Sequence, residues 1–226
     1  MKLNIKPLLY FVLCLGALML NINAIEAASY EIKITNLTKS QSFTPIIASS
    51  QTQAIDIFAA GQAISAEMEA VAEGGDTSSL NTLLTGNDNI VDVQTSDGLL
   101  AAGASTTLNV NATKRSRYIN LAAMLIPTND AFMGLNNLKA PRRLNRTTTV
   151  YLNAYDAGTE VNDELCASIP GPGFTECETN NTTPEPAGTD VGFIHVHNGI
   201  HGVGDLTEAT RDWRGPVAKV EITRIR

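Results

Sequence analysis

The 226-residue chain carries 16 basic and 23 acidic residues, a net charge of −7, with 43% hydrophobic residues. That length allows one domain of ordinary size or two small ones. The acidic balance argues against nucleic acid and anionic lipid as partners, because both are bound by basic surfaces.

The first 28 residues read as a signal peptide. Lys2 and Lys6 supply the positive start, Leu8 to Leu20 the apolar run, and Ala24, Ala27 and Ala28 the small residues before cleavage. An uncleaved membrane anchor is the alternative, although the run is short for a bilayer. Lipid attachment at Cys14 is disfavoured by Leu13, which stands where a small residue is needed. Cleavage near Ala28 leaves residues 29–226, with 14 basic and 22 acidic side chains and a net charge of −8. No later segment is apolar for long enough to cross a membrane as a helix.

Downstream, apolar and polar residues alternate over 30–38, 43–49, 89–96, 105–112, 117–127, 147–156, 191–198 and 216–226, the pattern of half-buried strands. Two helical patches interrupt them. Residues 61–75 place Ile64, Met68 and Val71 on one face and stop at Gly74 and Gly75; residues 78–87 are capped by Ser78 or Ser79. Both helices are expected to cover an end or edge of the strands. The stretch 169–190, with PGPG and NNTTPEPAG, reads as a long irregular loop. The fold predicted is all-β, an antiparallel β-sandwich of about eight strands with one or two short helices inserted.

Two cysteines remain after cleavage, Cys166 and Cys177. In an oxidising compartment a disulfide closing CASIPGPGFTEC is the simplest reading, contributing about 3 kcal/mol in the chain-entropy model. Two free thiols are the alternative, and a redox or zinc role lacks CxxC spacing.

Acidic residues gather at two strand ends. Strand 117–127 loses its pattern at Pro127 and offers Asp130 in the following loop; strand 147–155 ends at Asp156, with Glu160 beyond Gly158. If both strands enter the same end of a sandwich, Asp130, Asp156 and Glu160 converge. Three such carboxylates need a compensating cation, and calcium suits oxygen-only ligands on loops better than magnesium does. Solvated acidic loops are the plainer reading. Asn129, Asn153, Asp163 and Glu164 are weaker candidates, the last two expected mostly in solvent.

A second candidate metal site is FIHVHNGIHGVGDL, which holds all three histidines. His195 and His197 fall on one face of a strand and His201 follows a glycine, an arrangement that transition metals accept. It is similar to the first cupin motif, but the second histidine-bearing segment that a cupin needs is missing. Histidines that merely pack and hydrogen-bond beside a glycine-rich turn are the alternative. KAPRRLNR (139–146), the densest basic segment, is a solvated loop or a contact for an anionic polysaccharide near the calcium. Nucleophilic catalysis has no Gly-x-Ser-x-Gly elbow, and neither Ser29 nor Ser168 has an evident histidine partner. A pair of carboxylates for glycoside hydrolysis is not singled out by any pattern.

Several segments, taken in order, resemble the spondin amino-terminal domain family of F-spondin and mindin. YDAGTE is similar to the family's Tyr-Asp-Ala-Gly-Thr-Asp, and TNDAFMG to its Ser-Pro-Asp-Trp-Phe-Val-Gly. YEIKITNLTKSQSFTPII and GPVAKVEITRIR resemble its first and last strands, and DIFAAGQAISAEMEAVAEGGD its helical insert. The resemblance spans residues 30–226, in the form of the single-domain bacterial members. It implies a C2-like sandwich binding calcium through Asp130, Asp156 and Glu160, the last an aspartate in the family. Ala131 replaces the family's tryptophan, ahead of Phe132.

The leading expectation is therefore an exported, non-enzymatic, calcium-binding domain, periplasmic or extracellular, acting as a binding or adhesion module. Its partner would be an unknown protein or polysaccharide at the cell surface. The alternatives are a metalloprotein or metalloenzyme built on His195, His197 and His201, and a structural exported protein with no bound metal.

Overall fold

A computed structural model describes residues 27–177 and 180–226. The expected signal peptide lies outside them, apart from its last two residues. Among the described residues, no helix is long and apolar enough to cross a membrane.

In chain order the elements are β1 (Ala27–Asn36), β2 (Ser42–Phe43), β3 (Ile47–Gln51), α1 (Ala66–Gly74), α2 (Ser78–Thr85), β4 (Ile90–Thr95), β5 (Ser105–Thr113) and β6 (Tyr118–Ile126). Then follow β7 (Ala131–Lys139), β8 (Thr147–Leu152), β9 (Ala154–Asp156), β10 (His195–Val196), the single turn α3 (Glu208–Arg211) and β11 (Ala218–Arg224). One sheet has the order β5-β1-β11-β8; the other runs β10-β9-β7-β6-β3-β4, with β2 also on β6. Every pairing is antiparallel. The β-sandwich expected from the alternating pattern is thus the fold.

Alternation sets which face is buried. In β1, Tyr30, Ile32 and Ile34 enter the space between the sheets while Glu31 and Lys33 face solvent. Val220 and Ile222 of β11 and Leu108 and Val110 of β5 meet them there. β6 is buried along nearly its whole length. Ile119, Leu121, Ala123 and Leu125 face the inter-sheet core, and Ala122 packs in a second core with Met68, Val71, Leu80 and Leu84 of the two helices. The helices therefore cover the outer face of the larger sheet, not an end or edge of the sandwich. Ser65 caps α1 by accepting the Met68 N–H, and Gly75 ends it at φ 65°, as the double glycine implies. α2 follows Thr77, and Asp76 accepts the Ser78 N–H, so neither Ser78 nor Ser79 is its cap.

Two expected strands are shorter or broken: 43–49 divides into β2 and the start of β3, and 191–198 narrows to the two residues of β10. β7 falls where a loop was expected. Its residues AFMGLNNLK do not alternate, because Phe132 packs in the helix-covered core while Ala131 and Met133 pack between the sheets. Its asparagines serve as ladder extensions: Asn137 Oδ1 accepts the Ile55 N–H and Asn136 Oδ1 the Ile57 N–H. Phe132 is fully buried, so it offers no surface in place of the family's tryptophan.

The basic segment 139–146 begins at the C-terminal end of β7. At about 3.3 Å per residue that end is about 26 Å from Ala131, so the basic loop does not lie near Asp130 and only an extended ligand would reach both. The loop instead joins the β1–β11 end, where Tyr30 Oη donates to the Pro141 carbonyl and the Asn145 N–H to that of Arg224.

Cys166 and Cys177 form a disulfide with Cα atoms 5.4 Å apart. Beside it the largely buried Arg211 bonds both carboxylate oxygens of Glu176 from Nε at 3.1 Å and the Ser40 carbonyl from Nη1 at 2.9 Å. This pair fastens the cysteine loop to the β1–β2 turn.

Ile32→Ala is expected to destabilise the fold by about 2–5 kcal/mol, whereas Lys33→Ala, one residue away on the solvated face, should cost less than about 0.5 kcal/mol. Urea unfolding of the two variants checks which face of β1 is buried.

Candidate metal centre

The register of β7 against β9 builds the site. Ala131 pairs with Asp156 and Phe132 with Tyr155, and the Ala157 N–H donates to the Asp130 carbonyl at 3.3 Å. Asp130, just before β7, and Asp156, the last residue of β9, therefore meet at one end of the larger sheet. Both are buried, at 0% and 1% exposure.

Asp130 Oδ2 accepts from the Thr159 N–H at 3.0 Å, the Glu160 N–H at 3.1 Å and Thr159 Oγ1 at 3.2 Å. Its Oδ1 is buried and has no partner. Burial and, second, the charge of Asp156 push its pKa up to about 6 against the pull of those hydrogen bonds. Asp156 Oδ1 accepts from the Gly158 N–H at 2.8 Å, and Oδ2 from Asn162 Nδ2 at 2.6 Å.

Glu160 is half-buried in a groove of about 470 Å³ lined also by Glu69 and Glu73. Burial raises its pKa to about 7, with Glu73 its strongest charged neighbour and Asp130 and Asp163 adding to the effect. The three expected calcium ligands thus share one electrostatic neighbourhood without closing into a single cage. Among the described residues, the three ligand atoms that lie within 4.8 Å of one another belong to Asp156, Asp190 and His195.

The histidines divide. His195 Nδ1 lies 3.7 Å from Asp156 Oδ1 and His197 Nε2 lies 3.9 Å from Oδ2, so both flank the same carboxylate. His197 is buried and already committed. Its Nδ1 accepts the Gly199 N–H at 3.0 Å, so the proton sits on Nε2 and faces Asn162 Oδ1 at 3.2 Å. Burial lowers its pKa to about 4, so it is neutral at pH 7. Through Asn162 it braces Asp156. His201 is exposed and its backbone N–H goes to Glu164.

Glu164 is not in solvent as expected. It is 1% exposed, and its carboxylate accepts the His201 and Val203 N–H groups at 2.6 and 2.9 Å. Asp163 accepts from Asn129 Nδ2 at 2.9 Å and Ser168 Oγ at 2.7 Å. These two acids therefore hold loops together, and Asn129 is spent on the same network. Asn153 is exposed.

Asp190 and Asn162 were not singled out by the sequence. Asp190 lies in the loop read as featureless; the signal available was its place between Gly188 and Gly192, whose φ values of 91° and 77° both require glycine. Gly158 is a tighter constraint. It has φ 73°, and a Cβ there would stand 2.3 Å from the Phe193 carbonyl oxygen. The close approach brings the strand bearing His195 against the Asp156 turn.

The Spondin_N family model matches residues 35–163 of the chain. The chain belongs to the spondin N-terminal domain family. No curated protein matches it. The matched stretch includes Asp130, Asp156 and Glu160 and stops before Asp190 and His195. The spondin N-terminal family is one of binding-type domains, and the disulfide fits an exported member.

The two raised carboxyls set a pH dependence. A carboxyl whose folded pKa exceeds its unfolded value binds the proton more tightly when folded, so it costs stability as pH rises. For Asp130 the window runs from its ordinary value of 3.8 to about 6, and for Glu160 from 4.5 to about 7. His197, whose folded pKa is lowered, works in the opposite sense below its ordinary value of 6.5. The two carboxyls together outweigh it, so in EDTA the melting temperature should be higher at pH 5.5 than at pH 7.5. Asp130→Asn should reduce that difference by about 2–3 °C, as thermal melts of the two proteins across this range would read. Gly158→Ala should cost at least about 1–3 kcal/mol in urea unfolding, because the Phe193 segment must move away.

Proposed function

We propose that this chain is an exported calcium-binding spondin-type domain, acting as a binding or adhesion module for a protein or polysaccharide at the cell surface. The observation that carries this reading is Asp130 Oδ1: a carboxylate oxygen fully buried beside a second carboxylate and lacking any hydrogen-bond donor. A cation is the simplest partner for such an atom, since burial of an unpaired charge is costly. The donor set is hard oxygen, with Asp130 and Asp156 central and Glu160 reaching from the flanking loop. That composition favours calcium over softer metals. Glutamate in place of the family's aspartate has the length to reach from the groove it shares with Glu73.

Calcium here has a structural role. It neutralises Asp130 and Asp156, relieves the charge on Glu160, and fixes the loops 127–130 and 157–164 at one end of the sandwich. An ordered loop surface loses less conformational entropy when a partner docks. The metalloenzyme alternative on His195, His197 and His201 has less support, because both ring nitrogens of His197 are already in use.

The test is a thermal melt of residues 27–226 in EDTA and then in millimolar calcium, with magnesium as control. A calcium-specific rise is expected, worth about 2.7 kcal/mol at a hundred times Kd. Asp156→Asn should weaken calcium binding at least about tenfold and remove most of the rise. An identical melting temperature in calcium and EDTA would instead favour a structural exported protein whose acidic loops hold no metal.

A further inference from the structure

We infer that Asp156, Asp190 and His195 form a second cation site, which shares Asp156 with the calcium site and is suited to zinc or a similar divalent transition metal. The ligand atoms of these three residues lie within 4.8 Å of one another. Two ligands of one tetrahedral zinc ion, each about 2.0–2.2 Å from it, stand about 3.3–3.6 Å apart. The 3.7 Å between His195 Nδ1 and Asp156 Oδ1 is close to that separation. Asp190 has to approach by up to about 1.5 Å. It is half-buried on a short segment between two positive-φ glycines, where a rotamer change supplies that distance.

The donor set separates this site from the first. An imidazole nitrogen with two carboxylate oxygens is a borderline set that calcium does not prefer and zinc does. Nδ1 of His195 has one weak competing contact, the Phe193 carbonyl at 3.4 Å, which the metal replaces at little cost. Asp156 is the fixed member: the Gly158 N–H and Asn162 amide hold its two oxygens. Asn162 is itself held by His197. A second observation points to positive charge at this end of the sheet. Asp130 Oδ1, fully buried next to Asp156, has no donor. Asp156 thus has Asp130 as one carboxylate neighbour and Asp190 and His195 as two further candidate ligands.

Three protein ligands, two of them half-exposed, leave a coordination position open to water or to a donor atom from outside. Asp190 and His195 both lie beyond the residues matched by the family model, so the match does not imply this site. The inference stands without the calcium reading.

The experiment is isothermal titration of zinc chloride into residues 27–226, in millimolar calcium and again in EDTA-treated, calcium-free buffer. One equivalent is expected to bind in both. His195→Ala and Asp190→Asn should each weaken zinc at least tenfold and leave the calcium-dependent melting shift unchanged. Glu160→Gln should leave zinc affinity within about twofold, since it carries no zinc ligand. Circular dichroism of each variant confirms folding, and His195→Gln serves where His195→Ala does not fold. Absence of a one-equivalent isotherm overturns the inference. So does a His201→Ala variant that loses as much zinc affinity as His195→Ala, which would assign the binding to surface histidines. Calcium failing to raise the melting temperature while zinc still binds would remove only the calcium reading.

Discussion

The pairing of Ala131 with Asp156 is the constraint on which the rest of this end of the molecule depends. Side chains alternate along a strand, so a slip of one residue between β7 and β9 would change which groups reach the sheet end. It would also turn Phe132 out of the helix-covered core, where its ring packs against Phe58 and Tyr155 with centroids 5.2 and 5.7 Å away. The aromatic cluster locks the register, and the register places two carboxylates in one buried space. Hydrophobic packing thereby imposes an electrostatic cost that the protein must offset.

The offset is partial without a cation, and the magnitudes say where. Three hydrogen bonds to Asp130 favour its charged form, yet burial and Asp156 outweigh them, leaving the pKa near 6. All those donors converge on one oxygen while the other is left bare. Around this centre polar contacts hold the loops: Glu164 secures residues 201–203, Asp163 joins Asn129 to Ser168, and His197 steadies Asn162. Buried networks of this kind rigidify a site when fully satisfied. Here every member is satisfied except the oxygen that faces a second carboxylate.

Much of the sandwich was legible because β1, β5 and β11 each bury one face and solvate the other, which writes a period of two into the sequence. β7 was not legible, since both faces are covered and its asparagines bond to the neighbouring segment 55–58. At the site, Asp130 and Asp156 could be paired from strand ends and from the family's motifs. Glu164 was misjudged because an acidic run looks solvated until the backbone groups that it caps are known. Asp190 depended on a 33-residue connection between Asp156 and Asp190 folding back on itself, a long-range closure that leaves only glycines as a local trace.

The polarity of the strands also fixes how the domain faces outward. Tyr30 of β1 pairs with Arg224 of β11, so the first and last described strands begin and end side by side, next to the arginine-bearing 140–146 loop. The carboxylates occupy the far end, reached through Leu152 and Ala154, where β8 of one sheet passes through Asn153 into β9 of the other. Chain leaving Ala27 or Arg226 therefore departs from the basic pole. If either terminus is tethered to a surface or to a neighbouring domain, the sandwich acts as a spacer about one strand long, with its acidic pole held away from the point of attachment.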